Sequence, residues 1–201
     1  MSVRYWQWGM TQVLCAPRAG FTSMNRNTLR FVPRTAPNDF DHSAPTVCVV
    51  RDPFERWVSG VYHYSKHAHR TAVKNIVDDF KQYMYIDPTT DDFRRFFDAV
   101  TVRVAASVKP DYHYTSQSRY FGDVLGKVGN INRAIPCESQ HHMWGEDFEV
   151  HNTNTYYYNT PKVQWLERAE PVRARVLALW REDTTWRQRS LNEWSSISQT
   201  N

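Results

Sequence analysis

The first segment that could do chemistry is residues 17–23, P-R-A-G-F-T-S, which follow a short apolar run. Gly20, Thr22 and Ser23 would offer backbone N–H and hydroxyl donors at a strand-to-helix turn, and Arg18 would add a full positive charge and a planar donor fork. This set of groups suits an anion such as a phosphate. Taken alone, the segment fits a plain strand–helix turn equally well, because the G-x-x-x-x-G-K-[ST] spacing of a Walker A loop is absent.

The second segment is residues 50–62, V-R-D-P-F-E-R-W-V-S-G-V-Y, which begin at the end of a β-branched apolar run. Arg51 leaves the predicted strand, and the proline two positions later suits the first turn of a helix. Ser59 lies nearly two helical turns further on, so Arg51 and Ser59 could hold one phosphate if the helix passes beside it. The composition also allows a plainer interpretation, in which Arg51 and Arg56 pair with neighbouring carboxylates at the surface.

Apolar periodicity places both segments at the ends of strands. Buried strands are predicted at residues 12–16 and 45–50 and near 134–135, and a parallel sheet with helices on both faces follows from their alternation with helical patterns. Ligands in such sheets bind at the carboxyl ends of the strands. Helices are predicted at residues 23–31, from residue 53, at 138–148 and at 163–180, and two more are predicted within 72–108, one on each side of Pro88. Loops are predicted at 34–44, 111–122 and 151–161.

The bulk composition indicates one domain over residues 1–201, with a frayed tail after about residue 190. A net charge of +4 suits an anionic ligand but is too small to indicate nucleic-acid binding. Three cysteines give neither a disulfide framework nor a zinc pattern, which favours buried thiols in a reducing compartment. No signal peptide and no apolar stretch of membrane-spanning length is visible, so we expect a cytoplasmic or otherwise soluble protein with no membrane span.

Residues 50–62 resemble the 3'-phosphate motif of carbohydrate sulfotransferases, the family of the chondroitin 4-O- and heparan O-sulfotransferases. These enzymes use 3'-phosphoadenosine-5'-phosphosulfate (PAPS). The family pattern V-R-[DE]-P-x-x-R-x-x-S-x-x-Y is met at every fixed position. Residues 15–23 are similar to the family's 5'-phosphosulfate loop, P-K-x-x-[ST]-[ST]-[ST], with Arg18 in place of the lysine and in the same order along the chain. Weaker similarities to the family's H-W-x-P-Q segment, His-Asn loop and closing [LV]-Y-x-x-D helix occur at residues 111–117, 150–155 and 179–183.

The resemblance implies a P-loop-NTPase-like three-layer sandwich and transfer of a sulfonate from PAPS to an acceptor hydroxyl, with a carbohydrate as the acceptor class. It implies that Arg18 stabilises the bridging oxygen as the 5'-phosphate leaves, and that Arg51 and Ser59 hold the 3'-phosphate. No metal is expected, because arginine and backbone dipoles would carry the charge. The 5'-phosphate is expected to be held by Gly20, Phe21, Thr22 and Ser23. The full set of residues expected to bind the cofactor is Pro17, Arg18, Ala19, Gly20, Phe21, Thr22, Ser23, Arg51 and Ser59.

A general base should accept the proton of the acceptor hydroxyl, and relatives place a His or Glu between the two phosphate motifs. His42 is the first candidate and His113 the second, since an unperturbed histidine titrates near pH 6.5. His63 and His67 have the i, i+4 spacing of a chelating pair, but no third ligand stands at a useful spacing. A solvated helix face is therefore the favoured interpretation of that pair.

Two other functions stay open at this point. A P-loop kinase would share the parallel sheet and the anion-binding turn, although the Gly-Lys-[Ser/Thr] triplet is missing. A non-catalytic protein that binds carbohydrate or another partner on a sulfotransferase scaffold would explain both the change to Arg18 and the short connection between Arg18 and Arg51. The sequence identifies neither the acceptor molecule nor the oligomeric state.

Overall fold

In the computed structural model, the described residues are 3–27, 30–36, 40–67, 88–105, 115–125, 133–145, 148, 156–157 and 160–198. Within these ranges the chain is a mixed α/β fold built on one five-stranded sheet with the strand order β3-β1-β2-β4-β5. The strands are β1 (Val3–Trp8), β2 (Thr11–Cys15), β3 (Val32–Ala36), β4 (Thr46–Val50) and β5 (Arg133–Pro136).

The centre of the sheet is parallel, as predicted. Strand β4 pairs in parallel with both β2 and β5, and all five of its residues are buried. A strand that is covered on both faces needs a continuous apolar, β-branched run, and the sequence T-V-C-V-V supplies it. The carboxyl ends of β2 and β4 therefore lie side by side, which brings the segments that follow Cys15 and Val50 to the same edge of the sheet.

Strands β1 and β3 extend the sheet in antiparallel fashion, which the sequence analysis did not predict. A tight turn at Gly9, with φ +55°, joins β1 to β2, and β3 pairs with β1 from Val3 opposite Ala36 to Gln7 opposite Val32. Part of the predicted polar loop at 34–44 is thus an edge strand. Strand β3 contains Pro33, which is tolerated because an edge strand forms backbone hydrogen bonds to a neighbouring strand on one side only.

The helices and short strands complete the fold. They are α1 (Phe21–Arg26), α2 (Pro53–His67), α3 (Thr90–Ala105), α4 (Gln117–Leu125), α5 (Gln140–Trp144), α6 (Lys162–Ala169), α7 (Arg173–Leu179) and α8 (Arg181–Ser198), with a β6–β7 hairpin (Tyr156–Tyr157 and Thr160–Pro161) and 3-10 turns at Cys137–Ser139 and Glu170–Val172. The predicted helix N-terminal to Pro88 lies outside the described residues. None of the helices in the described ranges is both long enough and apolar enough to cross a membrane.

Two helices differ from the sequence-based expectation. Helix α4 occupies part of the predicted loop at 111–122, and α8 continues through the predicted frayed tail to Ser198. Helix α8 stays ordered because it packs on edge strand β5, where the Glu193 carboxylate accepts a hydrogen bond from the backbone N–H of Ala134 at 2.6 Å. Ser190 on the same helix is fully buried. Contacts with distant parts of the chain thus order a segment whose own composition is polar.

Two apolar clusters hold the elements together. One lies against the sheet and includes Trp6, Leu14 and Ile135, and the other joins α2 to α3, α6 and α7. Trp57 is the centre of the second cluster, with its ring 5.8–6.3 Å from the rings of Phe93, Phe96 and Phe97. Helix α2 is therefore fixed by its apolar face, while its N-terminal turn is left at the carboxyl edge of the sheet.

Candidate functional site

The turn after β2 has an unusual backbone. Arg18 has φ +68° and Gly20 has φ +107°, and the Ala19 N–H donates to the Ala16 carbonyl at 3.0 Å. A Cβ atom at Gly20 would lie only 2.2 Å from Nε2 of Gln140, so a larger residue would have to displace the Gln140 side chain as well as strain the backbone. A non-glycine residue at positive φ is uncommon and carries strain, which often marks a functional site.

Arg51 connects this turn to the second segment. Its Nη1 donates to the carbonyl oxygen of Arg18 at 2.8 Å, and its Nη2 donates to Oε2 of Glu55 at 3.2 Å. The same Glu55 oxygen accepts a hydrogen bond from Nζ of Lys162 at 2.5 Å. Burial raises the pKa of Glu55, but the hydrogen bonds and charges of Lys162 and Arg51 outweigh it and leave the pKa below its ordinary value.

Ser59 lies beside the first segment. The guanidinium of Arg18 donates to its Oγ from Nε at 3.0 Å and from Nη2 at 2.7 Å. The structure therefore brings together three of the predicted site residues, Arg18, Arg51 and Ser59. Of the hydroxyl residues in the turn, Ser23 is buried and Thr22 is half-buried.

Arg56 is a site residue whose position the sequence analysis did not predict. It is fully buried, and it donates to the carbonyl of Pro17 from Nε at 2.9 Å and to the carbonyl of Thr115 from Nη1 at 2.8 Å. Its guanidinium also lies 5.2 Å from the ring centroid of Trp180. Burial lowers the pKa of Arg56 to about 10, and the charge of Asp183 opposes that shift. Arg56, on helix α2, thus fixes the backbone of the turn that follows β2.

Gln117 holds the backbone of Arg51 from the other side, and Asp183 holds Gln117 in turn. The Gln117 amide accepts the Arg51 N–H at 3.0 Å and donates to the Arg51 carbonyl at 2.9 Å. Asp183 is fully buried and accepts the backbone N–H groups of Gln117 at 2.8 Å and Ser118 at 2.9 Å, so it caps the N-terminus of α4. Two of the weaker similarity segments, 111–117 and 179–183, therefore meet at Arg51, and residues 150–155 lie outside the described ranges.

Gln140 is a further residue that the sequence analysis missed. Its side chain is 2% exposed and contacts the turn at Gly20, with Nε2 only 3.5 Å from the carbonyl of Ala19. Its Oε1 is buried without a hydrogen-bond partner among the described residues. No motif marks this position, and it becomes visible only when β5 is placed next to β4.

His42, the first candidate for the general base, lies at the opposite edge of the sheet from Arg18 and Arg51. It is exposed and follows Asp41, whose backbone N–H and carbonyl are held by the side chain of Gln12. Gln12 pairs with Thr46 at the amino ends of the parallel strands, whereas Arg18 and Arg51 lie beyond their carboxyl ends. The length of β4, about 13 Å at 3.3 Å per residue, separates His42 from the site. His113, the second candidate, lies outside the described residues.

The turn after β2 is thus a cationic site at one edge of the sheet. The Arg18 guanidinium bonds to the Ser59 hydroxyl, and the Arg51 guanidinium bonds to the strained backbone at Arg18. Such a set can bind and orient phosphate oxygens and stabilise negative charge that develops on one of them. Among the described residues no three His, Cys, Asp or Glu side chains converge to form a metal site. Compared with protein-family models, curated proteins and solved structures, the chain gave no match.

Proposed function

We propose that this chain is a sulfotransferase that moves a sulfonate group from PAPS to an acceptor hydroxyl, with a carbohydrate as the acceptor class. The proposal includes a three-layer, P-loop-like arrangement of helices around the parallel centre of the sheet. One observation carries it: Arg51 donates to the backbone of Arg18 at 2.8 Å, so the two motifs that resemble phosphate sites lie within reach of one nucleotide.

The positions of Ser59 and Gln117 add support. Ser59 lies two turns into α2 and its Oγ is 2.7 Å from the Arg18 guanidinium, so the side chain expected at the 3'-phosphate contacts the side chain expected at the 5'-phosphate. Gln117 and Asp183 belong to the weaker similarity segments; Gln117 holds the backbone of Arg51, and Asp183 holds Gln117. Four segments that are far apart in the sequence thus meet around one set of donors, as a shared function would require.

In the proposed reaction the acceptor oxygen attacks sulfur in line with the bond to the 5'-phosphate oxygen. A new S–O bond forms, the old S–O bond breaks with its electron pair on the phosphate, and the products are a sulfate ester and adenosine 3',5'-bisphosphate. The acceptor proton passes to a base, for which His113 stays a prediction. Arg18 would stabilise the charge on the leaving oxygen, and positioning and electrostatics would supply most of the rate.

The same geometry explains why Arg18 could serve both binding and chemistry. The Arg18 guanidinium donates two hydrogen bonds to Oγ of Ser59. If a 3'-phosphate occupies Ser59, the planar fork of Arg18 can turn towards the 5'-phosphate while its positive φ keeps the backbone carbonyl on Arg51. A lysine would place one point charge there, whereas arginine offers two parallel donors to phosphate.

The test is sulfonate transfer from PAPS to a panel of glycans and simple hydroxyl compounds, followed by mass spectrometry of the acceptor. We expect a sulfated product with the wild-type protein and loss of about 100-fold or more in rate with Arg18→Ala, since one oxyanion donor is worth that much. Arg94→Ala, which removes an exposed arginine paired with Asp91, should leave the rate unchanged. PAPS binding without transfer to any acceptor would instead favour a binding protein.

A further inference from the structure

A groove of about 450 Å³ opens beside the N-terminal turn of α2. Its walls come from α2, from α6 and the 3-10 turn after it, and from the start of α7 and the middle of α8. The residues that line it are Asp52, Phe54, Glu55, Val163, Leu166, Glu167, Glu170, Arg173 and Arg187. Apart from Asp52, Phe54 and Glu55, none of these belongs to the segments discussed above, so the groove continues the site beyond the two phosphate motifs.

Arg187 is the lining residue whose hydrogen bonds are incomplete. Its side chain is 17% exposed, and Nη2 donates to the Glu138 carboxylate. The other terminal nitrogen, Nη1, is buried and has no hydrogen-bond partner among the described residues. A buried cationic donor without an acceptor is unfavourable, so this atom marks a place where a negatively charged oxygen would be stabilised.

The two groove carboxylates that belong to the second phosphate motif, Asp52 and Glu55, already accept hydrogen bonds. Glu55 is bound by Arg51 and Lys162, and Oδ1 of Asp52 accepts the backbone N–H of Glu55 at 2.8 Å. Each of these acceptors is therefore committed to a donor other than Arg187.

The outer carboxylates are at the rim of the groove. Glu170 pairs with Arg173 at 3.3 Å, and Glu167 is exposed, where water screens its charge. The N-terminal turn of the 15-residue helix α2 lines the groove and adds partial positive charge to its wall. We call the end of the groove at the buried Nη1 of Arg187 its inner end, and this end is the part of the groove that favours an anion.

Arg51 and Arg187 are both near the residues that follow β5, because Arg51 follows Val50, the partner of Pro136, and Glu138 accepts a hydrogen bond from Arg187. Cys137 follows β5, next to the end of β4, and burial raises the pKa of its thiol to about 12, while the charges of Arg51 and Arg187 oppose that shift. Arg51 also reaches the groove through Glu55, which it binds with Nη2. One oxyanion with several oxygens could therefore contact both guanidinium groups.

We propose that Nη1 of Arg187 binds an oxyanion of the phosphate class, shared with Arg51 at the inner end of this groove. This part rests on the proposed function: the oxyanion is the 3'-phosphate of the donor nucleotide, and Arg187 is a specificity-determining residue for it. The apolar side chains of Phe54, Val163 and Leu166 would contact the uncharged part of the ligand.

The experiment is isothermal titration of the full chain with adenosine 3',5'-bisphosphate, adenosine 5'-phosphate and pyrophosphate. We expect Arg187→Gln to weaken binding of the bisphosphate about tenfold, because a charge-assisted hydrogen bond is lost, and to leave adenosine 5'-phosphate within about twofold. Arg187→Lys, which keeps the charge and the pairing with Glu138, should lose less and covers the case in which the glutamine variant does not fold. Arg181→Gln, an exposed arginine on the same helix, is the control.

Two further outcomes separate this inference from the proposed function. If the wild-type protein binds the bisphosphate no better than adenosine 5'-phosphate, the proposed function fails, and a loss of pyrophosphate affinity in Arg187→Gln would still support an oxyanion at Arg187. If the bisphosphate is preferred but Arg187→Gln binds both it and pyrophosphate as the wild type does, Arg187 is not a ligand. Glu138→Gln should keep or improve binding, and a loss equal to that of Arg187→Gln would assign the effect to the ion pair and overturn the inference.

Discussion

The Arg51 guanidinium donates a hydrogen bond to the backbone carbonyl of Arg18 at 2.8 Å. This contact joins the ends of two adjacent parallel strands, and it is made by a residue of one predicted phosphate motif to a residue of the other. A larger separation between the two motifs would have left two unrelated turns, each with a plain structural explanation. Their proximity is the physical basis of the proposed nucleotide site.

The first prediction concerns the residue that holds Arg51. Replacing Gln117 with Leu removes both hydrogen bonds to the Arg51 backbone, so we expect about a tenfold loss of affinity for adenosine 3',5'-bisphosphate and a loss of about 1–3 kcal/mol in the free energy of unfolding. Titration calorimetry and urea unfolding measure the two effects. Gln188→Leu, which removes an exposed amide bonded to Asn192 on α8, is the matched control and should change neither.

The second prediction concerns the buried arginine. Arg56→Met should lower the free energy of unfolding by about 3–5 kcal/mol, because it removes the positive charge that acts on buried Asp183 and two hydrogen bonds to backbone carbonyls. Urea denaturation at neutral pH measures it. A double change of Arg56→Met with Asp183→Leu should be less destabilised than the sum of the two single changes, and strict additivity would argue against a coupled pair.

The third prediction compares two glycines at positive φ. Gly20→Ala should be destabilising by more than about 2 kcal/mol, because strain in the backbone adds to a contact of 2.2 Å with Gln140. Gly9→Ala meets nothing within 4 Å, so only the strain of about 1–2 kcal/mol should appear. Thermal unfolding of both variants tests this. Gln140→Ala in the Gly20→Ala background should recover part of the loss, and no recovery would mean that Gln140 moves aside at little cost.

The fourth prediction is a dependence on pH. The folded-state pKa of Glu55 lies below its ordinary value of 4.5, so Glu55 contributes stability that is present above that value and is lost as pH falls through the folded-state pKa. Urea midpoints at pH 7 and pH 3 should therefore differ less for Glu55→Gln than for the wild type. Asp91→Asn, at an exposed carboxylate paired with Arg94, is the control for general acid effects. An identical pH dependence in Glu55→Gln and the wild type would show that the contacts with Arg51 and Lys162 do not lower the pKa of Glu55 in the folded protein.

The fifth prediction separates the two histidines. Because His42 lies at the amino edge of the sheet, His42→Ala should leave any sulfonate transfer within about twofold of the wild-type rate, whereas loss of a general base costs about 100-fold or more. Turnover of His113→Ala should show that larger loss and a changed pH–rate profile. A large loss in His42→Ala instead would require the loop at residues 40–45 to move across the sheet.

Short-range patterns predicted the parts of the fold that depend on local sequence. The buried run at 46–50 and the apolar periodicity from 53 onwards fix β4 and α2, and the two strand ends then place Arg18 and Arg51 at one edge. Strands β1 and β3 were missed because neither has a clear strand pattern. V-R-Y-W-Q-W in β1 mixes aromatic and polar residues, V-P-R-T-A in β3 contains a proline, and both become strands by pairing with each other or with β2.

The sequence predicted the residues that would donate hydrogen bonds to a ligand at the candidate site, but not the residues that hold these donors in position. Arg18, Arg51 and Ser59 stand in recognisable motifs, whereas Gln117 and Asp183 are 66 positions apart and act only because α8 returns to cap α4. Arg56 was read as a possible surface partner of a carboxylate, but Glu55 pairs with Arg51 and Lys162, which leaves Arg56 to the buried backbone carbonyls. His42 was chosen for its position between the motifs in the sequence, and distance along the chain carries no information about which edge of the sheet a loop occupies.

The most direct measurement of the central claim is the ratio of dissociation constants for adenosine 5'-phosphate and adenosine 3',5'-bisphosphate, taken by titration calorimetry on the wild-type chain. Two charge-assisted contacts to a 3'-phosphate predict at least a tenfold preference for the bisphosphate, and Arg51→Ala should bring the ratio close to one. Equal affinity of the wild-type chain for both nucleotides would contradict a site that joins Arg18, Arg51 and Ser59 around one doubly phosphorylated ligand.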